Sequence, residues 1–214
     1  APAKDSFIEL DKMESYINDV KKIKEKYKDQ IKINIGAEVD YIEGFEEEIK
    51  NNLNKYGEYL EDSILSVHMI KIEDKYYCMD FSCEEFEKIV NLLGSVESVY
   101  NLYYETLIKA INSDLGKYKP KRIGHLNLVR KYNKKFPYDY SNNKKLKELV
   151  KLISDRGYEL DYNIAGLFKE DCGETYISGY LAELIKQYNI KLVLGSDSHS
   201  AKYIDKYEEL NEHI

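Results

Sequence analysis

Extended segments and amphipathic helical segments alternate along this chain, and that alternation limits its fold more than any other feature. Between Leu10 and Gln30, Met13, Tyr16, Ile17, Val20 and Ile23 recur three or four apart, the spacing of one helical face. Ile31-Lys32-Ile33-Asn34-Ile35 then alternates like a strand and runs into Gly36-Ala37-Glu38. A helix with an acidic first turn is expected over Glu43 to Tyr56, a second strand over Ser63 to His68, and an irregular aromatic stretch over Asp74 to Phe81. Ser82, with Glu85 three residues on, opens a helix to about Leu92. Gly94-Ser95 breaks it before a second helix to about Leu115. A short third strand (Arg122 to His125), a helix (Lys144 to Arg156), a fourth strand (Tyr158 to Asn163), a helix (Gly179 to Tyr188) and a buried fifth strand (Ile190 to Leu194) complete the series. Strand starts recur about every 33 residues, with one longer interval, which leaves room for helical crossovers between parallel strands. The reading is one α/β domain over residues 1–214, and the pattern alone fits a barrel and an open sheet equally.

Chemistry-bearing residues collect at the strand ends. They are Glu38, His68, His125 and the pair Asp197/His199 in Gly195-Ser196-Asp197-Ser198-His199. Residues two apart in an extended chain point the same way, so Asp197 and His199 suit a divalent metal or an acid/base pair equally well. Three of the four histidines lie at such ends; the fourth, His213, is expected to be a surface residue of the tail. In parallel barrels the C-terminal strand ends converge on one face, so the set as a whole points to a metal site. Mixed imidazole and carboxylate donors suit Zn, Mn or Fe and not a dedicated Ca site. Arg130, just beyond His125, and Lys169, after the fourth strand, are the candidates for holding a phosphate.

Bulk properties narrow the partners. A net charge of −7 argues against broad attraction to nucleic acid or an anionic membrane. The sequence has no apolar run long enough to span a bilayer and no leader pattern. Three cysteines (Cys78, Cys83, Cys172) without zinc spacing are read as reduced thiols, and with them a cytoplasmic location is expected.

Five segments in order carry a resemblance: Gly36-Ala37-Glu38-Val39-Asp40-Tyr41-Ile42-Glu43-Gly44, Ser66-Val67-His68, Gly124-His125-Leu126-Asn127-Leu128-Val129-Arg130-Lys131, Asn163-Ile164-Ala165-Gly166-Leu167 and Gly195-Ser196-Asp197-Ser198-His199. Tyr77-Cys78-Met79-Asp80 and Cys172-Gly173-Glu174 add to it. Together they resemble the histidinol-phosphatases of the PHP (polymerase and histidinol phosphatase) family. The resemblance implies a distorted (β/α)7 TIM-like barrel with two or three divalent metal ions. It also implies hydrolysis of L-histidinol phosphate to L-histidinol and phosphate in histidine biosynthesis. Glu38, His68, His125, Asp197 and His199 match metal-ligand positions, with Asp197 and His199 in catalytic roles; Arg130 and Lys169 are the expected substrate contacts.

The chain departs from the family pattern in places. It has no histidine before His68, where the family places a His-x-His pair on its first strand and a further His on the next. It also carries Asn127 where an Asp or other polar residue is expected, and Phe168 where an Arg is common. The expectation is an incomplete barrel lacking the N-terminal units and part of the C-terminus, with open edges that favour self-association. Two alternatives stand beside the histidinol-phosphatase reading: a PHP phosphoesterase for a nucleotide or sugar phosphate, and a metal-binding protein without catalysis.

Overall fold

The computed structural model describes residues 8–201 and Ile204; the expectation for His213 lies outside them. In chain order the elements are α1 (Met13–Lys26), β1 (Glu38–Asp40), α2 (Glu46–Tyr56), β2 (Ile64–Ser66), β3 (Met69–Ile72), β4 (Lys75–Cys78), α3 (Cys83–Leu93), α4 (Val96–Asn112), β5 (Arg122–Ile123), α5 (Lys144–Asp155), β6 (Glu159–Asn163), α6 (Gly179–Gln187) and β7 (Leu192–Gly195). Five strands form one parallel sheet in the order β1-β2-β5-β6-β7, and β3 and β4 form a separate antiparallel hairpin. Among the described residues β1 and β7 are edges, so the α/β sheet is an unclosed barrel wall.

The register explains why one face of this sheet is core and the other is site. Leu65 pairs with Ile123, and Ile123 with Leu160. Paired residues share a face, and these three are fully buried beneath the helices. The alternate positions are polar: Asp40 pairs with Ser66, and Asn163 lies two residues beyond Asp161 on β6. Ser66, Asp161 and Asn163 are all buried, on the face opposite the helical layer. Fully burying an aliphatic side chain contributes roughly 1.5–3 kcal/mol. The Leu65–Ile123–Leu160 row, joined by Tyr100, Tyr103, Tyr104 and Leu107 of α4 and Leu146, Leu149 and Val150 of α5, anchors the fold.

Local signals set the helix ends. Ser82 Oγ accepts from Glu85 N at 3.1 Å and starts α3; Gly94, at φ 81°, ends it. Ser95 and Asn143 cap α4 and α5 in the same way.

Three expectations are corrected. Ile31 to Ile35 is not a strand: Ile31 is 60% exposed, and pairing with the β2 segment is limited to Ile35 and Ala37 before the ladder starts at Glu38. Its buried end, Ile35, packs with Met13 and Ile17 of α1 and Tyr56 of α2 and joins no ladder. The stretch around Asp74 is not irregular; it is the β3–β4 hairpin, closed at Glu73-Asp74 with Glu73 at φ 55°. The fifth strand is not buried. Leu192 and Leu194 share the helix-side face of Leu160 but stay 40% and 44% exposed, because β7 is an edge that the helical layer covers only in part.

Candidate metal centre

Glu38, His68 and His125 come from three adjacent strands and meet on the polar face of the sheet. One ligand atom from each lies within 4.8 Å of the others. Glu38 Oε1 stands 2.9 Å from His125 Nε2 and 3.5 Å from His68 Nε2, and the two imidazoles meet edge to face at 4.8 Å.

Each ring is held by its own surroundings. Asp40, next but one to Glu38 on β1, accepts from the His68 backbone N–H at 3.1 Å and sits 3.2 Å from His68 Nδ1. This carboxylate on Nδ1 turns Nε2 toward Glu38, the second contact that orients many metal-binding histidines. His125 follows Gly124, where a Cβ would lie 2.3 Å from Ser66 Oγ, so only glycine brings this turn so close to β2. His125 itself adopts φ 24° and Asn127 φ 80°. Left-handed backbone costs about 1–3 kcal/mol at a non-glycine residue and persists only where its surroundings enforce it. Asn127 tolerates it and also accepts from the Tyr104 hydroxyl at 2.6 Å, so it serves as a buried turn residue.

Electrostatics bind the group together. Burial opposes ionisation of Glu38, yet the His125 hydrogen bond and the charges of His125 and His68 bring its pKa down to about 2. Burial likewise disfavours the His68 imidazolium, but Asp40, Asp80 and Glu38 outweigh it and raise His68 to about 9. His125 Nδ1 is buried without a hydrogen-bond partner. Two imidazoles and one carboxylate form a donor set that fits a transition-type divalent ion.

A cleft of about 850 Å³ opens over this group. Glu38, Asp40, His68, Asp80, Lys131 and His199 line its polar side, and Leu10, Met13, Phe45 and Leu53 its apolar side. Asp197 and His199 are not part of the three-residue group. They pair with each other at 3.2 Å, and the His199 side chain is 87% exposed where the chain leaves the edge strand with Asp197 at φ 51°. Arg130 lies in a short 3-10 helix (Leu128–Tyr132), where Nε and Nη2 both reach Glu174 Oε1 at 2.5 Å and the guanidinium lies 4.6 Å above the Tyr140 ring. Lys169 is exposed at the end of another 3-10 helix (Ala165–Phe168). The sequence reading missed Asp40, Asp80, Lys131 and Asp161. Asp40 was legible, since it shares a strand face with Glu38; the other three depend on contacts between distant segments. Asp161, on β6, accepts from the Asn163 side chain at 3.0 Å and the His125 backbone at 3.4 Å, and its pKa is raised by burial.

A parallel β/α wall that brings two imidazoles and a carboxylate together defines the class of proteins whose sites can hold a divalent metal ion. Residues 7–165 match the PHP domain, and the chain belongs to the PHP family. It is 43% identical over 204 residues to the histidinol-phosphatase of Bacillus subtilis, covering 94% of this chain and 75% of that protein. A Schizosaccharomyces pombe protein named as a probable histidinol-phosphatase is 28% identical over 209 residues, covering 94% of this chain and 63% of that protein. The crystal structure of HisK from Listeria monocytogenes, assigned as a histidinol phosphatase, superposes with a TM-score of 0.91 at 33% identity, over all of this chain and 82% of that one.

Proposed function

We propose that this chain is a metal-dependent phosphomonoesterase that hydrolyses L-histidinol phosphate to L-histidinol and phosphate. The observation that carries the reading is the Glu38–His68–His125 group, at the strand ends of a chain 43% identical to a histidinol-phosphatase. Glu38, His68 and His125 would hold a divalent ion, with Asp197 and His199 as further ligands at the cleft mouth; Zn, Mn and Fe suit these donors, and two or three ions are proposed. An ion held by these residues would neutralise phosphate charge and make a bound water more acidic.

The chain's own residues do the rest. Asp40 fixes the His68 ring, and Asp161 receives the backbone N–H of His125. Asp197, 3.2 Å from His199, is proposed to move a proton from the attacking water, with His199 as its partner. Arg130 and Lys169 are proposed as substrate contacts outside the lining of this cleft, Arg130 being oriented by Glu174. The substrate is a small phosphorylated metabolite, and no described helix is long and apolar enough to cross a membrane.

The test is phosphate release from L-histidinol phosphate by the purified chain with Mn or Zn. Turnover that chelation abolishes and metal restores is expected, with clear preference over nucleotide and sugar monophosphates. Equal rates on those esters refute the substrate assignment. Metal binding without turnover refutes catalysis by this chain.

A further inference from the structure

The polar side of the cleft is rich in carboxylates: Glu38, Asp40, Glu48 and Asp80 all line it. A phosphate dianion entering there needs cationic partners, and among the described residues the only Lys or Arg lining the cleft is Lys131. Arg130, its neighbour in sequence, is engaged by Glu174 and is not among the lining residues.

Lys131 is placed by the segment that follows His125 and by the end of the hairpin that follows His68. It sits in the 3-10 helix that follows His125. Its Nζ donates to Asp80 O at 2.5 Å and to Asp80 Oδ2 at 3.0 Å. Asp80 lies just past β4, where Met79 N–H pairs with His68 O at 3.1 Å. The Tyr132 hydroxyl donates to Asp80 O at 3.0 Å and the Cys78 thiol to Asp80 Oδ1 at 3.3 Å, so Asp80 is fixed from three directions. An ammonium has three protons; two go to Asp80, and for the third no hydrogen-bond acceptor stands among the described residues, the Tyr132 ring centroid lying 5.9 Å from Nζ. Its side chain is 20% exposed, enough to meet a ligand in the cleft and too little for free rotation in water.

Resting on the phosphomonoesterase reading, we infer that Lys131 contacts a phosphoryl oxygen of the substrate in this cleft, and that Asp80 is the positioning residue that holds it there through its backbone carbonyl, a contact that Asn at this position keeps. An ammonium serves as a point charge for phosphate and needs no bidentate geometry, so one free N–H is sufficient. Asp80 also competes with the incoming anion for the same ammonium. That competition separates this role from a simple clamp between two loops. In a clamp, loss of either partner has the same effect. In an anion site the two losses act in opposite directions.

The probe is inorganic phosphate, titrated calorimetrically into the Zn-loaded full chain, with thermal unfolding as the check on folding. Lys131→Met is expected to weaken phosphate binding about tenfold or more, the scale of one lost charge-assisted hydrogen bond. Lys131→Arg should retain it within about threefold, and Asp80→Asn should leave it as tight or tighter. In the metal-free wild type, the Lys131 side-chain resonance, labelled at Cε and assigned with the arginine variant, should shift as phosphate is added; this reading survives even if the methionine variant does not fold. An unmoved resonance, or Lys131→Met binding phosphate within twofold of wild type while L-histidinol phosphate is still hydrolysed, overturns the inference and leaves the proposed function standing. Parallel weakening by Lys131→Met and Asp80→Asn also overturns it in favour of a clamp. A Zn-loaded wild type that neither binds phosphate nor hydrolyses the ester overturns both.

Discussion

Gly195→Ala is a one-carbon change that should damage the site from the edge of the sheet. A Cβ at Gly195 would lie 1.9 Å from Asp161 Oδ1 and 2.9 Å from its Cγ, far inside van der Waals contact. Asp161 is 6% exposed and has little space to retreat into. Relief has two routes. The carboxylate can rotate away from Asn163 Nδ2 and His125 N, giving up hydrogen bonds to a charged acceptor worth about 1.5–3 kcal/mol each at most. Alternatively β7 can move off β6, straining the ladder from Leu160–Leu192 to Asn163–Gly195, and overpacking of this kind costs about 1–3 kcal/mol. The cheaper route, movement of β7, sets the cost, and an approach as close as 1.9 Å calls for the upper part of its range, so a loss of about 2–3 kcal/mol is expected. That corresponds to a fall in Tm of roughly 4–12 °C for a chain of this size. The assay is a double-mutant cycle by urea unfolding with Asp161→Ala, which removes the atoms that clash. In that background Gly195→Ala should cost under about 0.5 kcal/mol, giving a coupling near 2 kcal/mol. Additive effects, or a single variant within about 0.5 kcal/mol of wild type, refute the argument.

Other outcomes follow from the same contacts. His68 in the metal-free protein has a folded pKa of about 9 against an unfolded value near 6.5, so its stabilising contribution is complete below pH 6.5 and disappears as pH rises through 9. It amounts to up to about 3 kcal/mol. Urea midpoints of wild type and His68→Gln should therefore converge on going from pH 6 to pH 9.5, and a constant gap contradicts this. Lys119 Nζ donates to the carbonyls of Ala110, Ile111 and Ser113 at 2.6–2.8 Å, closing the C-terminal end of α4. Lys119→Met should cost about 2 kcal/mol in thermal unfolding, and no loss would mean that water replaces the ammonium. Leu194→Lys on the exposed edge strand should reduce any self-association seen by sedimentation without lowering Tm; unchanged association would place the contact elsewhere.

Much of the fold was readable because helix boundaries are written in short-range chemistry. Ser82 with Glu85, and Gly94 with Ser95, marked real ends of α3 and α4. The strand at β7 was legible in place but not in burial, since exposure of Leu192 and Leu194 depends on what packs beyond them. The β3–β4 hairpin escaped because its four-residue strands turn on Glu73-Asp74 and not on a glycine-bearing pair. Ile31 to Ile35 shows the opposite error: alternation alone makes no strand where no neighbour supplies a ladder. At the site, Glu38, His68 and His125 were visible as a pattern and are brought together, although Glu38 opens β1 and does not follow a strand as expected. Lys131 and Asp80 were not, because their meaning arises only when a hairpin end and a 3-10 helix 51 residues apart meet.

Tyr176 places its ring 6.4 Å from that of His125, in a chain with 21 tyrosines and no tryptophan. With no indole to accept their excitation, tyrosines here report on their own surroundings, and one of them adjoins a proposed ligand. The intrinsic emission is therefore a built-in optical signal: a paramagnetic ion such as Mn entering beside His125 should dim it while a closed-shell Zn ion does not, so loading can be followed without labels and before any turnover is measured.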